Sequence, residues 1–297
     1  MNKMRSAVAL LITLSIIASM LTLMGVMFGY LGAAKKKAEI KASMLQANIM
    51  RDDIGTFLKQ ILGKKPSKGR LKLLFQTPLA VSAENGEFNV AIACDPVANR
   101  INMAWLGMGE KAKDQKRFAL AEAVFDMLTG RVNLRDSSLL KEKIIAAVRQ
   151  KDSTKFGQPR RLNEKKGIIT FERFMQIVDE YRFEVDDPSV YKIDWEKYFS
   201  FGLKDDHLDG DFITPELLAF LYDVDINIVR EGQKFGNLDK SLEEIGGLSK
   251  DRYKWLFSQK PIPEAECRVS YSHGKGYYNF KFNYIAGRTE NFEFSNN

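Results

Sequence analysis

The feature that most constrains this chain is an uncharged apolar run near its amino terminus. Ala7–Ala34 contains 28 residues without a charged side chain. As a helix this run would be roughly 42 Å long, which is enough to cross a bilayer with some tilt. A cleaved secretory signal has a much shorter apolar core. The run therefore predicts one transmembrane helix. Gly25, Gly29 and Gly32, near one of its faces, either permit close helix packing or are glycines that a membrane helix tolerates.

A polar helix continues directly from this span. Between Lys35 and Leu62 only Gly55 interrupts residues that favour helix. Apolar side chains recur there at spacings of three, four and seven: Ile40, Met44, Ala47, Ile54, Leu58 and Ile61. Such a stripe predicts an amphipathic stem that packs on a small domain, and Gly63–Arg70 ends it with glycine, proline and charge. Span and stem predict one helix of about 55 residues, on the order of 80 Å long.

Positive charge is concentrated beside the span. The formal net charge of the chain is +7, and residues 35–70 hold ten Lys or Arg against three Asp or Glu. This distribution suits anionic headgroups or acidic partner helices. It argues against a nucleic-acid partner, which would need cations on the folded domain. By the positive-inside rule alone, the lysines that follow the span would place the C-terminal bulk in the cytoplasm.

Two sheet-forming stretches flank a helical region beyond the stem. Leu71–Asp95 shows the pattern of strands broken by turns. Cys267–Phe294 shows that of three antiparallel strands with glycine-containing turns, in which Tyr278, Phe280, Phe282 and Tyr284 alternate on the face that packs on the stem. Residues 109–262 show mostly helical spacing, with start signals such as Thr214 before Pro215. This order predicts an α+β fold. A long N-terminal transmembrane-plus-stem helix packs on a small antiparallel sheet, and an all-helical domain is inserted between the strands.

Three stretches resemble a known family. RSAVALLITLSII, at residues 5–17, is similar to the start of type IV pilin-like proteins, and most of all to the K-type minor pseudopilins of type II secretion. Asn99–Leu106 and Ser241–Phe257 resemble segments of the K-type helical insertion, and the second has the pattern of a helix, a Gly-Gly turn and another helix. The resemblance implies a pilin-like fold, a cytoplasmic amino terminus and a periplasmic bulk on the inner membrane. It also implies a role in initiating or capping the pseudopilus. The implied partners are other minor pseudopilins and the inner-membrane secretion platform.

The resemblance also assigns roles to residues near the amino terminus. A prepilin peptidase would cut after Ala7 or Ser6, leaving Val8 or Ala7 as a methylated first residue, although the usual glycine before the cut is absent. Most pilins have a glutamate at the fifth mature position, where this chain has Ile12 or Leu11. K-type members also lack it, which fits a subunit at the filament tip. The residues expected to pack in the membrane or filament are Leu10, Leu11, Ile12, Gly25 and Gly29.

These patterns and the resemblance divide the chain into six predicted segments. They are a short basic leader (1–7), the transmembrane half of the helix (8–34), the stem (35–63), the first strands (64–108), the helical insertion (109–262) and the C-terminal strands (263–297).

One loop has the spacing of a ligand site. Asp205–Glu216 nearly matches the calcium loop of EF hands. The candidate metal ligands are Asp205, Asp209, Asp211 and Glu216. His207 occupies a position where calcium needs an oxygen ligand. The other interpretation is a solvated acidic turn before a helix. K-type relatives hold calcium in the helical domain, so Ca²⁺ stays open, and no other cofactor is expected.

No motif indicates catalysis. The two histidines, His207 and His273, come without a GxSxG nucleophile motif, and the glycine loops that bind nucleotides are absent from the sequence. Cys94 and Cys267 form no CxxC pair, which argues against zinc. The two would pair in an oxidising compartment or lie buried as small apolar side chains, and the second is the simpler expectation.

Three functions are compatible with these patterns. The first is a minor pseudopilin. The second is a single-pass inner-membrane protein whose periplasmic domain binds a ligand or calcium outside any filament. The third is a tethered cytoplasmic enzyme, which only the lysines after the span favour. The amino terminus distinguishes the first two, because it would be processed and methylated in the first and retain Met1 in the second.

Overall fold

One helix leads from the amino terminus to the folded part of the chain. In the computed structural model, α1 is the helix Asn2–Leu62, so the predicted span and stem are continuous. Gly63 follows with φ +68° and donates its N–H to the Lys59 carbonyl at 3.0 Å. Glycine adopts this left-handed conformation without steric cost. The glycine of the predicted stop segment therefore ends the helix.

The structure describes the chain in eight ranges: residues 2–63, 66–82, 88–109, 114–149, 170–201, 207–273, 276–285 and 287–296. Within these ranges, the side chains of residues 2–13 and of Val81, Phe88, His273 and Asn296 lie outside the description. Among the candidate residues above, Asp205 lies outside the described ranges. The side chains of the predicted processing and filament-packing residues also lie outside it: Ser6, Ala7, Val8, Leu10, Leu11 and Ile12.

A short helix replaces the first predicted strand. The chain forms α2 (Lys68–Gln76), so the prediction of strand over residues 71–76 is wrong. Ser67 caps this helix by accepting a backbone N–H from three residues further on. Leu71 and Leu74, one helical turn apart, are both buried in the core between stem and sheet. A cap followed by apolar residues at a spacing of three outweighs the strand tendency of the segment.

The sheet has five antiparallel strands in the order β1-β2-β5-β6-β7. Their bounds are β1 (Leu79–Ser82), β2 (Phe88–Pro96), β5 (Ala265–His273), β6 (Gly276–Ile285) and β7 (Arg288–Asn296). The stem crosses the β6–β7 side of the sheet, and α2 packs on β2. Phe280, Phe282 and Tyr284 are buried on the stem-facing side. The three predicted C-terminal strands and their inward-facing alternation are confirmed.

A mostly helical region connects β2 to β5, as predicted. Its elements are β3 (Ile101–Asn102), a 3-10 turn (Met103–Gly107), α3 (Gln115–Arg131), α4 (Ser137–Arg149), α5 (Phe171–Val185), a 3-10 turn (Pro188–Lys192), α6 (Trp195–Tyr198), β4 (Phe199–Ser200), a 3-10 turn (Gly210–Phe212), α7 (Pro215–Tyr222), α8 (Ile226–Gly232), α9 (Leu238–Gly246) and a 3-10 turn (Lys250–Tyr253). Thr214 caps α7 with Pro215 at its first position, which confirms the predicted start.

The unit at Ser241–Phe257 differs from its prediction after the glycine pair. Gly247 ends α9 with φ +65°, as the pattern predicts. The helix expected beyond it is only a 3-10 turn, Lys250–Tyr253. The reason is that Phe257 forms an isolated β-bridge with Leu208, which draws the chain into an extended conformation.

The two cysteines form a disulfide. Cys94 and Cys267 are cross-strand partners on β2 and β5, and both are buried on the stem-facing side of the sheet. Burial was expected of both cysteines, but the simpler expectation of free thiols is wrong. Alternation along two neighbouring strands places the two side chains opposite one another, with a Cα–Cα distance of 4.0 Å. Sequence spacing does not reveal this register.

Candidate functional site

The span leaves its apolar side chains uncovered. Its described part, from Leu14 onward, is long and apolar enough to cross a membrane, with a mean hydropathy of 1.9. None of this most apolar window is buried against the rest of the chain. A Cβ added at Gly25, Gly29 or Gly32 would meet nothing within 4 Å. The span is therefore a surface available to lipid or to other helices, and fits a single-pass anchor.

The stem buries one face on the sheet. Its buried positions are Ser43, Ala47, Ile54, Leu58 and Leu62. Three predicted positions lie beside this face instead: Met44 is 46% exposed, and Ile40 and Ile61 are half-buried. The buried residues follow spacings of four and seven, as expected when a straight helix crosses a twisted sheet. The seam thus keeps Ala47, Ile54 and Leu58 of the predicted stripe, with Ser43 in place of Met44 and Leu62 in place of Ile61.

Two close contacts fix the position of the stem. The Tyr271 hydroxyl donates to the Ser43 carbonyl at 2.7 Å, and burial raises the pKa of Tyr271 to about 12. A Cβ on Gly55 would lie 2.5 Å from Thr289 Cγ2 on β7. The glycine that interrupts the stem therefore permits close approach to the sheet, a role that the sequence does not reveal.

The outer face of the stem remains apolar and exposed. Leu45 and Ile49 are 67% and 64% exposed, and Phe57 is 43% exposed. Phe57 also lines a groove of about 440 Å³ between stem and sheet. The groove is lined by Met50, Asp53, Ile54, Phe57, Leu79, Ala80, Val90 and Ile92. Exposed apolar residues beside a membrane anchor favour an assembly surface.

The helical region is fastened to the stem and sheet through Phe212. This side chain is 2% exposed and belongs to the core between stem and sheet. Its ring lies 4.9 Å from that of Phe75 on α2 and 5.1 Å from that of Phe235, both edge-to-face. Phe212 was not among the residues predicted to be functional. Its signal in the sequence is a large aromatic residue two positions before Thr214, which caps α7.

The candidate metal residues form part of the same junction. The Asp209 carboxylate accepts the N–H groups of Ile262 at 3.0 Å and Asp211 at 3.2 Å. Burial raises the pKa of Asp209 to about 6. Asp211 accepts the Leu238 N–H at 3.0 Å and pairs with Lys68. Asp209 and Asp211 therefore link α2, the start of α9 and the segment that leads into β5.

The predicted calcium loop is not assembled as a ligand set in the described residues. No group of three or more His, Cys, Asp or Glu within the described ranges could hold a metal ion. Glu216 pairs instead with Arg230 at 3.0 Å. Asp205 lies outside those ranges. A calcium site at this loop stays a prediction.

Comparison with solved structures finds the same fold in a chain of the GspK-GspI-GspJ complex from the type 2 secretion system of enterotoxigenic Escherichia coli. The similarity has a TM-score of 0.56 at 10% sequence identity, and it covers 89% of this chain and 99% of the other. No family model matches the sequence, and no curated protein is significantly similar to it. The α+β fold that the resemblance implies is therefore confirmed: a long N-terminal helix packs on an antiparallel sheet, and a mostly helical region is inserted between the strands.

Proposed function

We propose that this chain is a minor pseudopilin that helps to initiate or cap the periplasmic pseudopilus of a type II secretion-like system. The observation that carries the proposal is the fold shared with a chain of the GspK-GspI-GspJ complex along 99% of that chain. An uncovered apolar span continuous with the stem supports it, because such a helix can be stored in a bilayer and then packed against other helices.

The disulfide supports the proposed orientation. Cys94 and Cys267 are bonded in the core, and disulfides persist mainly in oxidising compartments such as the periplasm. The lysines after the span favour the opposite orientation. We give more weight to the disulfide, because its two cysteines lie in the folded domain whose location is in question. The amino terminus would then be cytoplasmic and the bulk periplasmic.

The proposed role is structural. Its partners would be other minor pseudopilins and the inner-membrane secretion platform, and its working surfaces would be the span, the outer face of the stem and part of the helical region. No cofactor is needed for this role. Processing would remove the residues before Val8 or Ala7 and methylate the new amino terminus.

The amino terminus provides the test. The intact mass and amino-terminal sequence would be measured on the protein purified from native membranes. A start at Val8 or Ala7 with an added methyl group is the expected result. A retained Met1 would contradict the processed pseudopilin and leave the single-pass protein outside any filament. A reporter fused after Asn297 would separately establish on which side of the membrane the bulk lies.

A further inference from the structure

One lysine on the outer face of the sheet contacts two carboxylates that belong to different layers. Lys281 on β6 pairs with Glu172 in the first turn of α5, and its Nζ lies 3.0 Å from Glu293 Oε2 on β7. Lys281 and Glu293 are also direct cross-strand partners. Their side chains are 25% and 27% exposed, and that of Glu172 is 51% exposed. Helix α5 therefore contacts the sheet through a cluster with two acids and one cation.

The surroundings of this cluster are also rich in acid. Glu196 acts electrostatically on Glu172 and Lys281, and Glu266 and Arg268 line cavities together with Lys281 and Glu293. Arg100 and Asp95 lie next to these groups. Arg268 pairs with Asp95, and Arg100 donates to the Glu196 carbonyl at 2.6 Å. Burial and the nearby Glu266 raise the pKa of Glu196. With every group ionised, the cluster and its charged neighbours would hold five carboxylates and only three cations. A further negative charge at this contact is therefore unfavourable.

The two carboxylates that share Lys281 titrate together. Burial and the neighbouring Glu172 carboxylate raise the pKa of Glu293 to about 7. Burial opposes ionisation of Glu172, but hydrogen bonds with Glu293 and Lys281 lower its pKa overall. Two acids this close keep one proton between them until the pH is high enough to remove it. The proton then leaves to solvent and both carboxylates are charged.

We propose that the contact between α5 and the sheet responds to pH: it is closed while Glu172 and Glu293 share a proton, and it weakens when both are ionised. The helical region would then pivot about its other attachment, at Phe212. This inference is independent of the proposed filament role, because it concerns how two parts of the chain are held together.

The test measures the distance between helical region and sheet at two pH values. Donor and acceptor dyes would be attached through noncanonical amino acids at positions 183 on α5 and 277 on β6. The native side chains there, Phe183 and Tyr277, are 84% and 57% exposed. Single-molecule energy transfer on the full-length protein in detergent micelles should give one main population at pH 6. At pH 8.5 the fraction of a more distant population should at least double.

Three variants make the assignment specific. Glu293→Gln and Glu172→Gln each leave one carboxylate for Lys281, so both should keep the pH 6 distribution at pH 8.5. Glu122→Gln should retain the wild-type response, because Glu122 shares Lys141 with Asp126 inside the helical region and not at the contact with the sheet. Identical wild-type distributions at both pH values would overturn the proposal. So would a Glu293→Gln variant that shifts as the wild type does, or a Glu122→Gln variant that has lost the response.

Discussion

Single residues decide how closely the stem approaches the sheet. Gly55 faces Thr289, and there is no room for even a methyl group between them. The Tyr271 hydroxyl donates a hydrogen bond to a stem carbonyl. A buried phenol needs such a partner, because an unpaired hydroxyl in the core is costly. Neither role can be predicted from sequence. A glycine in a helix suggests flexibility or packing equally well, and the residue that it faces lies more than 230 positions away.

Gly55→Ala should destabilise the folded part. The added Cβ would lie 2.5 Å from Thr289 Cγ2, so stem or strand must shift, at an expected cost of about 1–3 kcal/mol. The measurement is thermal unfolding of the full-length protein in detergent. Gly69→Ala is the matched control, because a Cβ there meets nothing within 4 Å and alanine favours helix. Adding Thr289→Ser, which removes the methyl in conflict, should restore stability to Gly55→Ala. No recovery would argue against this contact.

The stability of the fold should fall with rising pH because of Glu293. Its pKa is raised from an ordinary 4.5 to about 7, so the folded state binds more protons than the unfolded state between these values. The contribution is fully present below about pH 4.5 and is lost as the pH rises through about 7. Because the group is partly exposed, we expect the loss of this contribution to lower the Tm by only roughly 2–4 °C. The Tm of wild type minus that of Glu293→Gln should therefore be lower at pH 8.5 than at pH 5. Equal differences at both pH values would refute this assignment.

At the scale of elements, local signals identify most helices and strands but not how they meet. Thr214 with Pro215, and Gly63 at the end of α1, mark helix limits through chemistry within a few residues. The α2 helix was missed because LKLLF fits both periods over so short a length. The residues at the ends of the stem seam, the pairing of Cys94 with Cys267 and the insertion of Phe212 all depend on contacts between distant segments. Asp209 and Asp211 also bind backbone N–H groups and Lys68, contacts that their spacing in the sequence does not reveal.

Phe212→Ala should loosen the helical region from the stem and sheet. The ring is nearly completely buried between Phe75 and Phe235, and removing such a side chain typically costs about 3–5 kcal/mol. Calorimetry of the full-length protein should show a lower Tm. If the two cores become independent, the single transition should also split. Phe183→Ala is the control, since this side chain is 84% exposed and its loss should change Tm little. A Phe212→Ala protein that unfolds like wild type would show that the junction depends on other contacts.

At the scale of the whole molecule, two cores are arranged along one helix. The core between stem and sheet lies beside the membrane-proximal helix, and the larger aromatic core of the helical region is attached to it at Phe212. Apolar surface remains uncovered on the span and continues along the outer face of the stem. A folded domain that buries its own core and leaves apolar faces of one long helix exposed is suited to packing beside similar subunits.

This arrangement predicts that the outer stem face can be changed without harm to the fold. Ile49→Asp places a charge at a site that is 64% exposed, so its Tm should stay within about 2 °C of wild type. If the stem packs against other pilin-like subunits, a buried unpaired carboxylate would weaken that contact by several kcal/mol. Copurification of those subunits from native membranes should then fall at least tenfold. Gln60→Asp adds the same charge at another exposed stem position.

The comparison between these two variants separates packing from charge. A loss of copurification with Ile49→Asp alone would identify the apolar face as the contact. An equal loss with Gln60→Asp would mean that the basic stem acts through its overall charge, for example on anionic headgroups. Unchanged copurification with both variants would mean that the span holds the subunits together. The span carries the other uncovered apolar side chains of the same helix.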